Sequence, residues 1–220
     1  MATPYWLSCA CVSCLFYTAD LHFGSDDVIE KAKRPFSSSR EMDETVIYNW
    51  NNAISDNDTV YLIGDIGNHN IPFPDEKLRK LRGHKHLIRG NHDTCIENQE
   101  RLLDYFESVT DFLEIDDGAF HITLCHYPLV YIQGGYMIHG HLHNAKGKGY
   151  QILTQLPRTL NAGIDINGFR PVTLAQLIEN NRDFYGDAER GGFKQSTDGV
   201  HRGSKWKACF YALPQRKHPE

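Results

Sequence analysis

His86-Leu87-Ile88-Arg89-Gly90-Asn91-His92-Asp93 is the stretch that decides how this chain folds. A short apolar run, the signature of a buried strand, stops abruptly at a glycine, and residues of unlike chemistry follow at once. Gly90 lets the backbone approach a bound group closely, and Asn91 offers a neutral carbonyl oxygen. His92 can give a proton to a departing oxygen, with Asp93 orienting its ring.

The same arrangement recurs on either side. Leu15-Phe16-Tyr17-Thr18-Ala19 ends at Asp20, with His22 two residues on. Thr59-Val60-Tyr61-Leu62-Ile63 ends at Gly64-Asp65. Phe120-His121-Ile122-Thr123-Leu124 leads to Cys125-His126, and Tyr136-Met137-Ile138 leads to His139-Gly140-His141-Leu142-His143. Residues two apart in extended chain point the same way, so Asp20 and His22 can grip one ion, and His141 and His143 repeat that spacing. A carboxylate has two oxygens and can serve two cations, which makes Asp65 the candidate hub. His126 would be a neutral nitrogen ligand. His139, ahead of the glycine, is read as a packed or surface residue.

Between these strands lie helical signals. Ser38 with Glu41 forms a capping box, and Met42, Val46, Trp50 and Ile54 follow at helical spacing, predicting a helix over 39–55. Pro74 can open a short helix through Leu78 and Leu81, with Gly83 closing it. Residues 97–106 read as helical, and Leu174, Leu177 and Ile178 predict a last helix over 173–180. Asp116-Asp117-Gly118 between Phe112-Leu113-Glu114-Ile115 and the strand before His126 predicts a β-hairpin. Helices alternating with strands, then mostly strands, imply an α/β layered sandwich with its site along one rim.

At 220 residues, with 40% hydrophobic and 23% charged residues, the chain has ordinary globular composition. A net charge of −5 argues against broad attraction to nucleic acid or anionic membrane. The charge is uneven, since Arg190 to Lys217 holds seven Lys/Arg and one acid, Asp198. No long apolar run and no basic signal-like start are present, so a cytoplasmic protein without membrane contact is expected. Cys9, Cys11 and Cys14 lack a nearby fourth ligand and are read as reduced thiols. Three segments are expected: an N-terminal extension (1–14), a main domain (15–182), and a basic, aromatic tail (183–220).

Asp-x-His, Gly-Asp, Gly-Asn-His-Asp, a single His and Gly-His-x-His occur here in that order. In this the chain resembles the calcineurin-like metallophosphoesterase superfamily, and in particular its short uncapped bacterial and phage-type members. The resemblance implies a four-layer α-β-β-α sandwich with a binuclear metal site at the C-terminal rim of the strands. It implies one metal held by Asp20, His22, Asp65 and His143, and a second by Asp65, Asn91, His126 and His141, with Asp65 bridging. It further implies hydrolysis of phosphodiester or phosphomonoester bonds by a metal-bridging hydroxide, with His92 as general acid and Arg89 touching phosphate. Oxygen and nitrogen donors without thiolate suit Mn, Fe, Zn or Ni, with Mn(II) expected to serve in vitro.

His141 follows His126 by only fifteen positions, which leaves no room for a large cap; an open site favours diesters or exposed phosphates, with a nucleotide or nucleic acid among the candidate substrates. Alternatives are a single-strand nuclease using Lys205, Trp206, Lys207, Phe210 and Tyr211 of the tail, a protein phosphatase, and a non-catalytic scaffold of the same fold.

Overall fold

Strand alternation sets the layering. In the strand Thr59–Leu62 (β2), Val60 and Leu62 face one apolar cluster, while Tyr61 and the following Ile63 face another. Side chains two apart share a face, so one strand divides two cores. The computed structural model describes residues 13–93 and 99–186. Cys9, Cys11 and the basic tail from 187 onward lie outside the described residues.

Two four-stranded sheets result, making a mixed α/β protein. In the first, β1 (Leu15–Thr18), β2, β3 (His84–Ile88) and β4 (Ser108–Thr110) lie side by side in that order, all parallel. In the second, β5 (Phe112–Asp117) and β6 (Phe120–Cys125) form the expected hairpin. Then β7 (Tyr136–His139) and β8 (Thr159–Asn161) join in parallel.

Helices α1 (Asp26–Ala32) and α2 (Ser39–Ala53) cover one face of the first sheet, where Val28, Met42, Val46 and Trp50 pack with Val60, Leu62 and Leu87. On its other face Tyr17, Ile63 and Ile88 meet Ile122, Leu124, Ile138 and Leu160 of the second sheet. A parallel sheet buried on both faces is the stable form of such a sheet. The free edge of β1 is also closed, because Tyr17 pairs with Val172 and Ala19 with Gly163.

Helix α2 departs from expectation at its start. Ser38 Oγ accepts the Glu41 N–H at 3.3 Å, but the Glu41 carboxylate accepts from the N–H of Ser37, one residue short of closing the box. The complete capping box is instead on α5 (Leu174–Tyr185), where Thr173 and Gln176 satisfy each other; the helix runs past Asn180 to Tyr185. Helix α3 (Asp75–Leu78) follows Pro74 as expected. Of the expected helix over 97–106, a 3-10 segment forms at Gln99–Asp104.

Three elements had no sequence signal. Helices α1 and α4 (Lys148–Leu153) are one or two turns without a side-chain cap, and β4 is three residues held by pairing with β3. The ladder of β8 ends at Asn161, and Ile164–Ile166 is a 3-10 turn. Among the described residues no helix is long and apolar enough to cross a membrane.

Trp50 is fully buried, and its indole N–H donates to the Arg82 carbonyl at 3.0 Å, tying α2 to the turn before β3. Trp50→Ala should therefore lower stability by about 3–5 kcal/mol. Denaturant unfolding measures this, and a loss under ~1 kcal/mol would show that α2 does not anchor this core.

Candidate metal centre

Five chain segments deliver polar groups to one rim because β1, β2 and β3 run parallel, as do β6 and β7. Each segment then turns sharply. Asp20, His22, Asp65, His141 and His143 all have left-handed backbone, with φ of 60°, 50°, 59°, 69° and 49°. Non-glycine residues seldom adopt this conformation, and it gathers at functional sites where the surroundings enforce it. Backbone bonds enforce it here: Asp20 N–H donates to Gly64 O, and His22 N–H to Asp65 O, at 2.9 and 3.0 Å. Close approach also requires the two glycines of the motifs. A Cβ on Gly64 would lie 2.4 Å from His126 Nδ1, and one on Gly90 would lie 2.2 Å from Asp65 Oδ1.

The seven residues expected as ligands converge. Asp20, His22 and His143 place donor atoms within 4.8 Å of one another, as do Asp65, His126 and His141. A third such group joins His22, Asp65 and His92. Asp65 Oδ2 lies 3.5 Å from His22 Nε2 and 3.4 Å from His126 Nε2, between the first two groups. Asn91 Oδ1 sits 3.1 Å from His126 Nε2 and 2.9 Å from His141 Nδ1.

Hydrogen bonds fix which ring nitrogen faces inward. His22 Nδ1 meets the Gly67 carbonyl at 3.1 Å, and His126 Nδ1 meets the Ile63 carbonyl at 2.9 Å. A carbonyl only accepts, so both Nδ1 atoms carry hydrogen and it is Nε2 of each ring that faces the site. Asp20 Oδ2 and His22 Nε2 are buried and have no hydrogen-bond partner. Leaving a carboxylate oxygen and an imidazole nitrogen buried without partners is costly, and a cation between them removes the cost. The donor set therefore fits a divalent metal ion.

The electrostatics agree. Burial pushes Asp20 up to about 6 and His22 down to about 3. Burial would also raise Asp65, but the hydrogen bond and charge of His126 outweigh it and hold Asp65 at about 2. Burial would lower His126, yet its bond to Asp65 and the charge of Asp20 raise it to about 9. In the metal-free protein a proton on His126 thus replaces part of a cation's charge.

The expected catalytic residues are placed differently from one another. His92 stands at the site, its ring edge-on to His22 at 5.1 Å. Asp93 does not orient that ring. Its buried carboxylate accepts backbone N–H groups of Asp65 (2.7 Å), Ile66 (2.9 Å) and Gly90 (2.8 Å), holding the two glycine-containing loops together. The neighbour of the His92 ring is His69, with Nδ1 atoms 3.2 Å apart and rings stacked. Arg89 is engaged by the Asp111 carboxylate through Nε and Nη2. His139 is fully buried and outside the three clusters, in keeping with its reading as a packed residue.

Sequence reading missed Arg34, Asp165, Asn161 and His69. Asp165 bonds both Arg34 and His143, and the Asn161 side chain donates to the His143 carbonyl at 2.7 Å. The signals available were Arg34 ahead of Pro35-Phe36, and Asp165 just before Asn167-Gly168-Phe169-Arg170-Pro171.

No family model matches the chain. An uncharacterised protein of Methanocaldococcus jannaschii is 28% identical over 167 residues, covering 75% of this chain and 89% of that protein. Among solved structures, a protein of unknown function from Aquifex aeolicus matches with a TM-score of 0.62 at 24% identity, covering 76% of this chain and 99% of that one; the likeness is one of fold. YfcE, a phosphoesterase from E. coli, matches at a TM-score of 0.38 and 16% identity, over 68% of this chain and 77% of that one.

An ion can take His126 Nε2 only after the proton leaves, and Asp20 must also be ionised. Since His126 holds its proton up to about 9 and Asp20 up to about 6, affinity for Mn(II) should rise with pH. The expected slope is up to about tenfold per pH unit between pH 6 and 9, steeper below pH 6. Calorimetric titration in buffers of different protonation enthalpy checks it, and pH-independent binding would contradict it.

Proposed function

We propose that this protein is a cytoplasmic phosphoesterase that uses two divalent metal ions. The observation that carries the proposal is the pair of donor clusters on either side of the buried Asp65 carboxylate, with Asp20 Oδ2 and His22 Nε2 buried and unpartnered between protein walls. In this reading Asp20, His22, Asp65 and His143 hold one ion, and Asp65, Asn91, His126 and His141 the other. The fold belongs with it as a four-layer α-β-β-α sandwich. When bound, two such ions polarise a phosphoryl group and make water acidic enough to attack at neutral pH.

The chain's own residues then have distinct tasks. His92 stands beside Asp65 rather than within the two proposed ligand sets, and its partial exposure leaves it accessible to a substrate oxygen. It donates the proton that the departing alkoxide needs. Its neighbour His69 keeps one hydrogen shared between the two Nδ1 atoms, so Nε2 of His92 is free to carry the proton that is transferred. Arg89 contacts phosphate only by exchanging the Asp111 carboxylate for a phosphate oxygen, so its contribution is expected to be smaller than that of His92.

A panel of phosphomonoesters, linear and cyclic phosphodiesters and oligonucleotides, assayed with Mn(II), tests the proposal. Asp65→Asn should abolish turnover of every substrate that the wild type cleaves; residual activity in that variant would mark a contaminant, and no cleavage of any ester by the wild type would sink the enzyme reading. His92→Ala should slow esters with poor alkoxide leaving groups by about 10²–10⁴-fold while sparing nitrophenyl esters. Equal loss on both classes would remove the general-acid role.

A further inference from the structure

The two donor clusters are not supported alike. Arg34 is a buried arginine, and its guanidinium makes five contacts within the protein. Nη2 donates to the Asp20 carbonyl at 2.7 Å, and Nη1 donates to the Leu21 carbonyl at 3.1 Å and meets Met42 Sδ. Nε and Nη2 form a two-pronged bond with the Asp165 carboxylate, at 2.8 and 3.0 Å. Asp165 Oδ2 in turn lies 2.9 Å from His143 Nδ1.

These contacts determine the state of His143. A carboxylate already gripped by a guanidinium is an acceptor, so the hydrogen between it and the ring belongs to His143 Nδ1, and the lone pair of Nε2 is turned toward Asp20 and His22. The His143 backbone, at φ 49°, is held independently by Asn161 through its carbonyl. The same arginine therefore fixes the loop that carries Asp20 and His22 and, through Asp165, the ring of His143. Asn91, His126 and His141 have no bond to Arg34 or Asp165 among the described residues.

We infer that Arg34 and Asp165 are a positioning pair for one ion only, the one held by Asp20, His22 and His143, and that they raise its affinity while leaving the ion at Asn91, His126 and His141 untouched. This rests on the two-ion reading above. The chemistry is that of a carboxylate behind a ligand imidazole, which fixes the ring and increases its basicity. Here the carboxylate is itself locked by an arginine whose other donors hold the backbone of the remaining ligands.

The test is Mn(II) titration of the full-length protein by calorimetry, with bound metal counted after dialysis, and it requires no substrate. Wild type should bind two ions. Asp165→Asn should weaken one ion by about 10- to 100-fold and leave the other at its wild-type affinity. His141→Ala should weaken the other ion, and the double variant should weaken both. Far-UV circular dichroism and a cooperative thermal transition in EDTA report folding; if Asp165→Asn fails them, Arg34→Lys, which keeps the charge but loses the planar fork, should give the same one-ion weakening.

Equal weakening of both ions in a folded variant would reveal general loosening and overturn the assignment. So would wild-type affinity for both ions, or a double variant in which one ion stays untouched. A wild-type protein that binds fewer than two ions overturns the two-ion reading itself, a result seen before any variant is made.

Discussion

Burying the Asp65 carboxylate at the meeting point of the strand ends is the constraint on which the rest of the rim depends. Its Oδ1 accepts the His92 N–H at 2.9 Å, while Oδ2 faces the His22 and His126 rings. A carboxylate almost without solvent must find its compensation in nearby positive charge or donors. That requirement brings chain from β1, β2, β3 and β6 to within a few ångströms of one side chain, and it leaves no space for a side chain at Gly90.

Such a centre works against the stability of its own protein. Left-handed backbone at five of the seven expected ligands and unpartnered buried donors each raise the energy of the folded state. The sheets supply the opposing term, since the first is covered by α1 and α2 on one face and by the second sheet on the other. Asp93 supplies a local one by satisfying three backbone N–H groups in the loops that carry Asp65 and Asn91. Burial pushes its carboxyl up to about 6, against the pull of the backbone N–H groups that it accepts from, which favour the carboxylate.

The two halves of the rim differ in character. On one side Asp20, His22 and His143 are braced by the Arg34–Asp165 ion pair. On the other, His126 is buried and Asn91 and His141 are half-buried, with the exposed Tyr127 ring edge-on to His141 at 4.8 Å.

Much of this was legible in the sequence, and the boundary is physical. Period-two alternation and apolar runs that stop at Asp20, Asp65, Asn91, His126 and His141 are local properties, so strand ends and donor types could be read directly. The α2 repeat of Met42, Val46 and Trp50 was legible for the same reason. Helix α4 was not, because it buries only Leu153. Contacts between distant residues were also beyond sequence alone: Arg34 and Asp165 are 131 positions apart, and nothing in either neighbourhood announces the other. Asp93 beside His92 suggested a ring partner, yet in the fold three backbone amides claim that carboxylate and His69 stands at the ring instead. By itself the sequence determined which donor residues end the strands and so share one rim. Only the tertiary structure decided what holds those atoms in place, because support of that kind is assembled from groups that become neighbours once the chain has folded.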